Sequence, residues 1–370
     1  MSVRSVNTQG IDYLLLGMAM ALMSFGLIMV LSASGIMAER FYDDKYHFFI
    51  RQCLFAFLGV GVMGLAATAP LDRIISMKYL WLGLVILLLI LTMFSPLGAT
   101  VNGARRWLRF GPLTIQPMEL AKVALVIYLA WFFSRKKHLV RTFSVGVVPP
   151  FAVTGLLCGL ILIQPDFGGA AALAILLFFM CLVCGTRFIY LVFSLAMGLG
   201  AAWSLILQSP YRLRRMMAFM DPFEDALDSG YQLVQSLYAL GMGGAWGVGL
   251  GAGKQKLFFL PEAHNDFIIA VVGEELGFMG VSLVFVLMGL LIWRGFAVAL
   301  RQEDLARRFL AYGLTMILCM GALLNMAVVL GTAPPKGVPM PFLSYGGSSL
   351  LTSFLCVGLL LNISRQEGRT

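Results

Sequence analysis

Charge is what this sequence has least of. Only 12% of its 370 residues are Asp, Glu, Lys or Arg, against 60% hydrophobic. A soluble domain carries roughly a quarter charged residues, so this chain lacks the groups to clothe a water-facing surface, and a bilayer supplies the missing solvent. Polar–apolar alternation is lacking too. The apolar runs are continuous, which excludes a transmembrane β-barrel. There is no fixed-period repeat and no low-complexity tract. The six cysteines all lie in apolar runs. Cys181 and Cys184 have CxxC spacing but no further polar ligands nearby, so all six read as small buried hydrophobes. No cleavable signal is evident, because the first apolar run, Tyr13 to Ala38, is too long for a signal-peptide core and reads as a first span. The 40 glycines and 22 methionines suit packed membrane helices.

What is present is a series of charge-poor stretches, each near the ~20 residues that cross a bilayer as a helix. They are Tyr13–Ala38, Cys53–Leu71, Tyr79–Ala104, Leu113–Ser134, Thr142–Pro165, Phe167–Thr186, Phe188–Tyr211, Leu276–Trp293, Phe309–Pro335 and Gly337–Ser364. The Leu113 stretch is interrupted by Glu119 and Lys122, and the Leu276 stretch is expected to begin near Phe267 and to include Glu274 and Glu275. The expectation is a single all-α integral membrane domain over residues 1–370 with about ten spans. Short basic loops such as Ser134–Arg141 place both termini in the cytoplasm. Lys and Arg are nonetheless nearly balanced between the two sides. Cations placed outside against the topogenic preference suggest an anionic ligand there. A large extracytoplasmic loop, about 208–266, contains a Gly-rich stretch from Gly241 to Gly253, and its Trp246, Phe258 and Phe259 suggest contact with the membrane interface.

Ionisable groups at membrane depth are functional candidates. Glu119 and Lys122 stand three apart, on one helical stripe, and either pair to pack helices or line a polar path. Asp266 opens an apolar helix near the outer boundary, where it either caps that helix or acts as a partly desolvated general base. Glu274 and Glu275 lie about two turns deeper. Arg105, Arg106 and Arg109 surround Trp107, and Arg212, Arg214 and Arg215 form a second cluster. Arginine binds phosphate in bidentate fashion, so a lipid phosphate or pyrophosphate headgroup is the expected ligand, with no role for nucleic acid on this face. Asp166, in Gln164–Gly168, reads as a turn residue. Lys336 and the rigid, Pro-rich stretch from Gly331 to Pro341 precede Phe342–Ser349, whose Ser344 and Ser348 either cap a helix or bind a sugar.

In this order, Asn102–Trp107, Gln116–Lys122, Gln164–Gly168, Gly230–Ser236, Leu260–Gly277 and Lys336–Ser349 resemble the SEDS family (shape, elongation, division and sporulation) over nearly the whole chain. Gln255–His264 and the Lys336-Gly337 pair resemble its division branch. Asn265 stands where many members carry Thr. The resemblance implies a peptidoglycan glycosyltransferase that polymerises lipid II on the outer face of the bacterial cytoplasmic membrane, at the division septum. It also implies a class B penicillin-binding protein and other divisome proteins as partners. The family's essential Asp matches Asp266. A lone carboxylate suffices for such chemistry, because a pyrophosphate leaves as an anion and needs positive charge rather than a proton. Arg105, Arg106, Trp107, Glu119, Lys122, Arg212, Arg214, Arg215, His264, Lys336, Ser344 and Ser348 are the expected substrate contacts. No protein metal ligands are expected, although a divalent cation, Mg or Mn, would serve the leaving group. The rival readings are a lipid II flippase and a divisome scaffold without chemistry.

Overall fold

A computed structural model describes residues 10–101, 103–111, 113–228, 230–257, 259–334 and 336–366. Asn102 and Phe258 of the sequence expectations lie outside this set, as do the terminal segments assigned to the cytoplasm. The chain forms α1 (Tyr13–Tyr42), α2 (His47–Thr68), α3 (Leu71–Ser76), α4 (Lys78–Phe94), α5 (Pro117–Arg135), α6 (Phe143–Gly146), α7 (Val148–Ile163), α8 (Phe167–Cys184) and α9 (Phe188–Leu207). It continues through α10 (Pro210–Met220), α11 (Tyr231–Gly243), α12 (Ile268–Arg301), α13 (Leu305–Val329) and α14 (Gly347–Ser364). Among the described residues nine helical stretches are long and apolar enough to cross a membrane, and α4, at 17 residues, is a shorter tenth.

Three expected spans are shortened for visible reasons. The Tyr79 run ends as helix at Phe94, because Pro96 and Gly98 follow and the chain enters a small antiparallel sheet, β1 (Gly98–Val101), β2 (Ala104–Phe110) and β3 (Leu113–Ile115). The Leu113 run therefore starts as β3 and becomes helical only at Pro117, a favoured first helical residue. The final run begins as irregular chain and becomes α14 at Gly347. Phe342 and Leu343 press their main chain against Gly26 of α1, where a side chain would collide with the Phe342 carbonyl. Gln52 of α2 donates to the Ser344 carbonyl at 3.1 Å.

Contacts sort the helix ends into two groups, as ten alternating spans require. At one end Arg106 reaches Asp166 and the 164–165 carbonyls, Lys336 reaches Gly168, and His264 stacks near Phe48 and Tyr345. At the other, Arg294 pairs with Asp12 at 2.7 Å, Arg307 with Asp72 at 3.2 Å, and Asn362 holds the carbonyls of Ala66 and Ala69.

The 208–266 segment is not a simple surface loop. From Gly331, just beyond the C-terminal end of α13, α11 runs along α12 until Gly243 meets the Gly273 carbonyl. There α12 is broken at Gly277, φ 66°. The amides of Phe278 and Met279 would ordinarily bond to the carbonyls of residues 274 and 275. Instead they donate to Gly244 and Ala245, while Glu274 and Glu275 carbonyls accept from Val248 and Gly249, all at 2.9–3.2 Å. The re-entrant chain is thus spliced into the helical ladder with all four groups satisfied, as hydrocarbon demands. Gly247 and Gly277 both take positive φ here, and a side chain on either would strike the other strand of the splice.

The Glu274 and Glu275 side chains finish the anchor. Glu274 accepts from the amides of Lys254 and Gln255, and Glu275 from Gly251 and from Ser32 of α1. Lys256 pairs with Glu275 at 2.5 Å, both buried. Removing one partner of a buried pair strands a charge, so Lys256→Met is expected to cost about 3–5 kcal/mol. Adding Glu275→Gln, which keeps the hydrogen-bond acceptor but removes the charge, is expected to restore most of it. Thermal unfolding in detergent measures both, and an unchanged melting point for Lys256→Met would contradict the anchor.

Candidate active site

Asp266 ends the irregular segment that runs from the splice to α12. The segment folds on Glu262, whose carbonyl accepts from Asn265 at 3.0 Å and whose own φ is 56°. The His264 carbonyl accepts from Tyr345 at 3.0 Å, and the His264 ring lies 4.7 Å from that of Phe48. Burial lowers the His264 pKa, with Glu262 opposing. His264 therefore seats the segment between α2 and the chain before α14. The N-cap position of α12 falls to Phe267, which makes no side-chain cap bond, so Asp266 stands one residue outside the helix boundary.

The Asp266 carboxyl is raised from its ordinary value to about 7. Burial is the largest cause, the nearby Glu262 carboxylate adds to it, and the Arg215 guanidinium works against it. A carboxylate poised near neutrality beside a cation can take a proton from a hydroxyl and give it up again.

Next to it lies a cavity enclosing about 560 Å³, its opening to solvent included, with Glu119, Lys122, Asp166, Lys336 and Gly337 in its wall. Glu119 and Lys122 pair at 2.9 Å. Lys336 donates to the Gly168 carbonyl, and burial brings its ammonium down to about 8, with Asp166 opposing. Gly337, the following residue, lies against the carboxylate of Asp266. The wall thus joins the Lys122 and Lys336 cations to the Asp266 carboxylate.

Other expected contacts are distributed differently. Arg105 gives its guanidinium to the carbonyls of Met93, Ser95 and Gly98, clamping the sheet onto α4. Arg106 reaches Gln164, Pro165 and Asp166 at the cavity rim, while Asp166 caps α8 through the Gly169 amide at 2.9 Å. Trp107 is half-buried on β2, opposite Ala99 of β1. Arg212 donates to the Leu205 carbonyl at 2.9 Å and lies 5.4 Å from the Phe167 ring centroid, Arg214 is exposed, and Arg215 acts on Asp266. The Ser344 hydroxyl accepts from the Met340 amide, and that of Ser348 accepts from Gln116 and donates to Thr114. Both serines shape the main chain around the site.

Sequence reasoning passed over Asn325, Gln52 and Gln164, three buried or half-buried carboxamide ties to main-chain carbonyls. The available signal was a lone polar side chain inside an apolar run, as at Asn325 within Phe309–Pro335.

Known proteins are similar to this chain in sequence and in fold. The FtsW/RodA/SpoVE family, described as cell cycle protein, matches residues 12–369. A probable peptidoglycan glycosyltransferase FtsW of Trichlorobacter lovleyi is 43% identical, covering 95% of this chain and 93% of that protein. Stage V sporulation protein E of Bacillus subtilis is 40% identical over 96% of this chain and 97% of that protein. Among solved structures, a chain from a peptidoglycan synthase complex, solved for its coordination of polymerization and crosslinking, superposes with a TM-score of 0.82 at 28% identity. It covers 98% of this chain and 99% of its own. Rod shape determining protein RodA of Thermus thermophilus gives 0.73 at 28% identity, covering 98% of this chain and 100% of its own. With the family match spanning nearly every residue and the same bundle recurring in solved relatives, this multi-pass membrane protein belongs to the FtsW/RodA/SpoVE family of cell cycle proteins.

Proposed function

We propose that this chain is a peptidoglycan glycosyltransferase that polymerises lipid II, with Asp266 as general base. The observation that carries the catalytic assignment is the half-buried Asp266 carboxyl, raised to about 7 and facing Gly337 in the wall of a cavity that also holds Lys122 and Lys336. The names of the curated relatives and the synthase-complex neighbour support the substrate class. The acceptor sugar hydroxyl gives its proton to the Asp266 carboxylate. Its oxygen bonds to the anomeric carbon of the donor, the bond from that carbon to the diphosphate breaks, and undecaprenyl pyrophosphate departs as an anion. Arg106, Arg215, Lys122 and Lys336 are the cations placed to hold it. Arg105 and Arg106 both spend donors on main-chain carbonyls, but only Arg106 does so at the cavity rim, whereas Arg105 is turned to α4 and β1. His264, Ser344 and Ser348 serve by positioning.

Among the described residues no group of three or more His, Cys, Asp or Glu comes together to hold a metal ion. A protein-only metal centre does not fit these described side chains. The balance of short basic loops supports an orientation with the Asp266 end outside the cytoplasmic membrane. A class B penicillin-binding protein is the proposed partner, in line with the synthase-complex neighbour. The proposed site of action is the division septum.

Purified protein incubated with lipid II in detergent, with the partner added, tests this reading. Glycan chains are expected without any two-sided membrane, which neither a flippase nor a scaffold would produce. Asp266→Asn is expected to fold normally and to lose at least on the order of 100-fold in rate; wild-type yield from it would end the assignment.

The base must be ionised to accept a proton. Activity is therefore expected to climb with pH through about 7, the value to which burial raises Asp266. Glu262→Gln removes a negative neighbour and is expected to move that limb to lower pH. Arg215→Gln removes a positive one and is expected to move it higher. Limbs that stay fixed in both variants would show that another group titrates.

A further inference from the structure

A general base needs a fixed position, and the segment that carries Asp266 has no regular secondary structure before α12. Two contacts from outside that segment supply the restraint. Asn325 lies on α13, 1% exposed. Its side-chain amide donates to the Asp266 carbonyl at 2.8 Å and to the Val338 carbonyl at 2.7 Å. Both N–H groups are spent, and turning the carboxamide over would set its oxygen against two carbonyls, so the partners dictate its orientation. The Asn325 Oδ1 is buried and meets no partner among the described residues. A carboxamide half satisfied in this way is a poor stabilising device, since an unpaired buried acceptor costs free energy.

The second contact is at Gly337. A Cβ built there would stand 2.6 Å from Asp266 Oδ2. Gly337 does not have positive φ, so its backbone would accept other residues. What the missing side chain leaves open is the space in which the carboxylate sits. Val338 follows directly, so the Asn325 amide holds the main chain on both sides of this contact. Lys336 rides on the same segment.

Resting on the assignment of Asp266 as base, we propose that Asn325 and Gly337 are positioning residues for the reaction. Asn325 ties the base-bearing chain and the facing cavity wall to one side chain, and Gly337 keeps the seat of the carboxylate clear.

The chain contains its own control. Asn362 on α14 makes the same kind of tie at the other end of the bundle, donating to the carbonyls of Ala66 at 2.7 Å and Ala69 at 2.6 Å. Asn325→Leu, Gly337→Ala, Asn362→Leu and Asp266→Asn are purified full length and assayed with lipid II and the transpeptidase partner. Initial rates are followed against substrate concentration and pH, and melting is recorded in detergent. Asn325→Leu is expected to lower kcat on the order of 100-fold, the scale of an ångström of misplacement, with KM near wild type. Gly337→Ala is expected to move the rising pH limb upward, because the added methyl further desolvates the carboxylate. Asn362→Leu is expected to melt as early as Asn325→Leu while keeping wild-type kcat and pH limb. Wild-type kcat in Asn325→Leu, an equal kcat loss in Asn362→Leu, or an unmoved limb in Gly337→Ala would overturn the proposal. Gly337→Ala removes no hydrogen bond and carries the test alone if Asn325→Leu does not purify. Polymerisation by Asp266→Asn is a separate result, which would remove the base reading itself.

Discussion

Main chain that leaves the helix at membrane depth must find partners for every amide and carbonyl, and the rest of this structure depends on how that demand is met at α12. The splice between residues 244–249 and 274–279 exchanges two helical hydrogen bonds for four inter-segment ones. It lets a helix and its return strand enter the bundle without leaving polar groups bare in hydrocarbon. It also fixes one end of the segment that leads to Asp266. Lys256, Glu274, Glu275 and Ser32 then secure that end laterally, tying it to α1 as well as to α12. The other end is fixed where α12 begins, at Ile268. A carboxylate on an irregular stretch is thereby held from both sides.

The electrostatics of the site follow from this placement. Asp266 lies deep enough for burial to favour its neutral form, with Glu262 adding to the effect and Arg215 restraining it. Its pKa in the unfolded chain is the ordinary lower one. Folding therefore favours the protonated acid, and the charged form burdens the fold increasingly as pH rises from the ordinary carboxylate range to about 7. The opposite holds at Lys336, where burial draws the ammonium down to about 8 while Asp166 keeps it charged near neutrality. One group gives up its proton and the other retains its own over the same narrow interval. That is the combination the proposed reaction requires, since it removes a proton on one side and releases a diphosphate on the other.

The sequence disclosed the bundle and pointed to the proposed base for different reasons. Ten spans were legible because hydrocarbon leaves a compositional mark, and their ends were misjudged where an apolar run outlasted its helix, as at Ser95–Gly98 and at Gly337–Gly346. Charge scarcity says what is buried, not what is helical. Asp266 stood out as a candidate through its place at the start of an apolar helix and through the family resemblance. The arginines were harder to rank. Arg105 and Arg106 are neighbours in sequence, yet on β2 successive side chains take opposite faces. One clamps α4 and the other reaches the cavity rim. Glu274 and Glu275 gave no hint of the splice, because their partners are main-chain amides with no sequence signature.

The same reasoning explains why the site is assembled from carboxamides and glycines as much as from charges. A charged side chain tying the Asp266 and Val338 carbonyls would alter the potential at the base, whereas Asn325 donates twice without adding net charge. A side chain at Gly337 would crowd the carboxylate, with its Cβ 2.6 Å from Asp266 Oδ2. Gln52 and Gln164 repeat the device at Ser344 and Leu89, bracing the surrounding chain while leaving its charge balance untouched. Neutral donors fix the geometry, and the few charges are left to set proton affinity and, in the proposed reaction, to receive an anion. In a medium where each added charge is costly, that division lets a rigid site and a finely balanced pKa coexist.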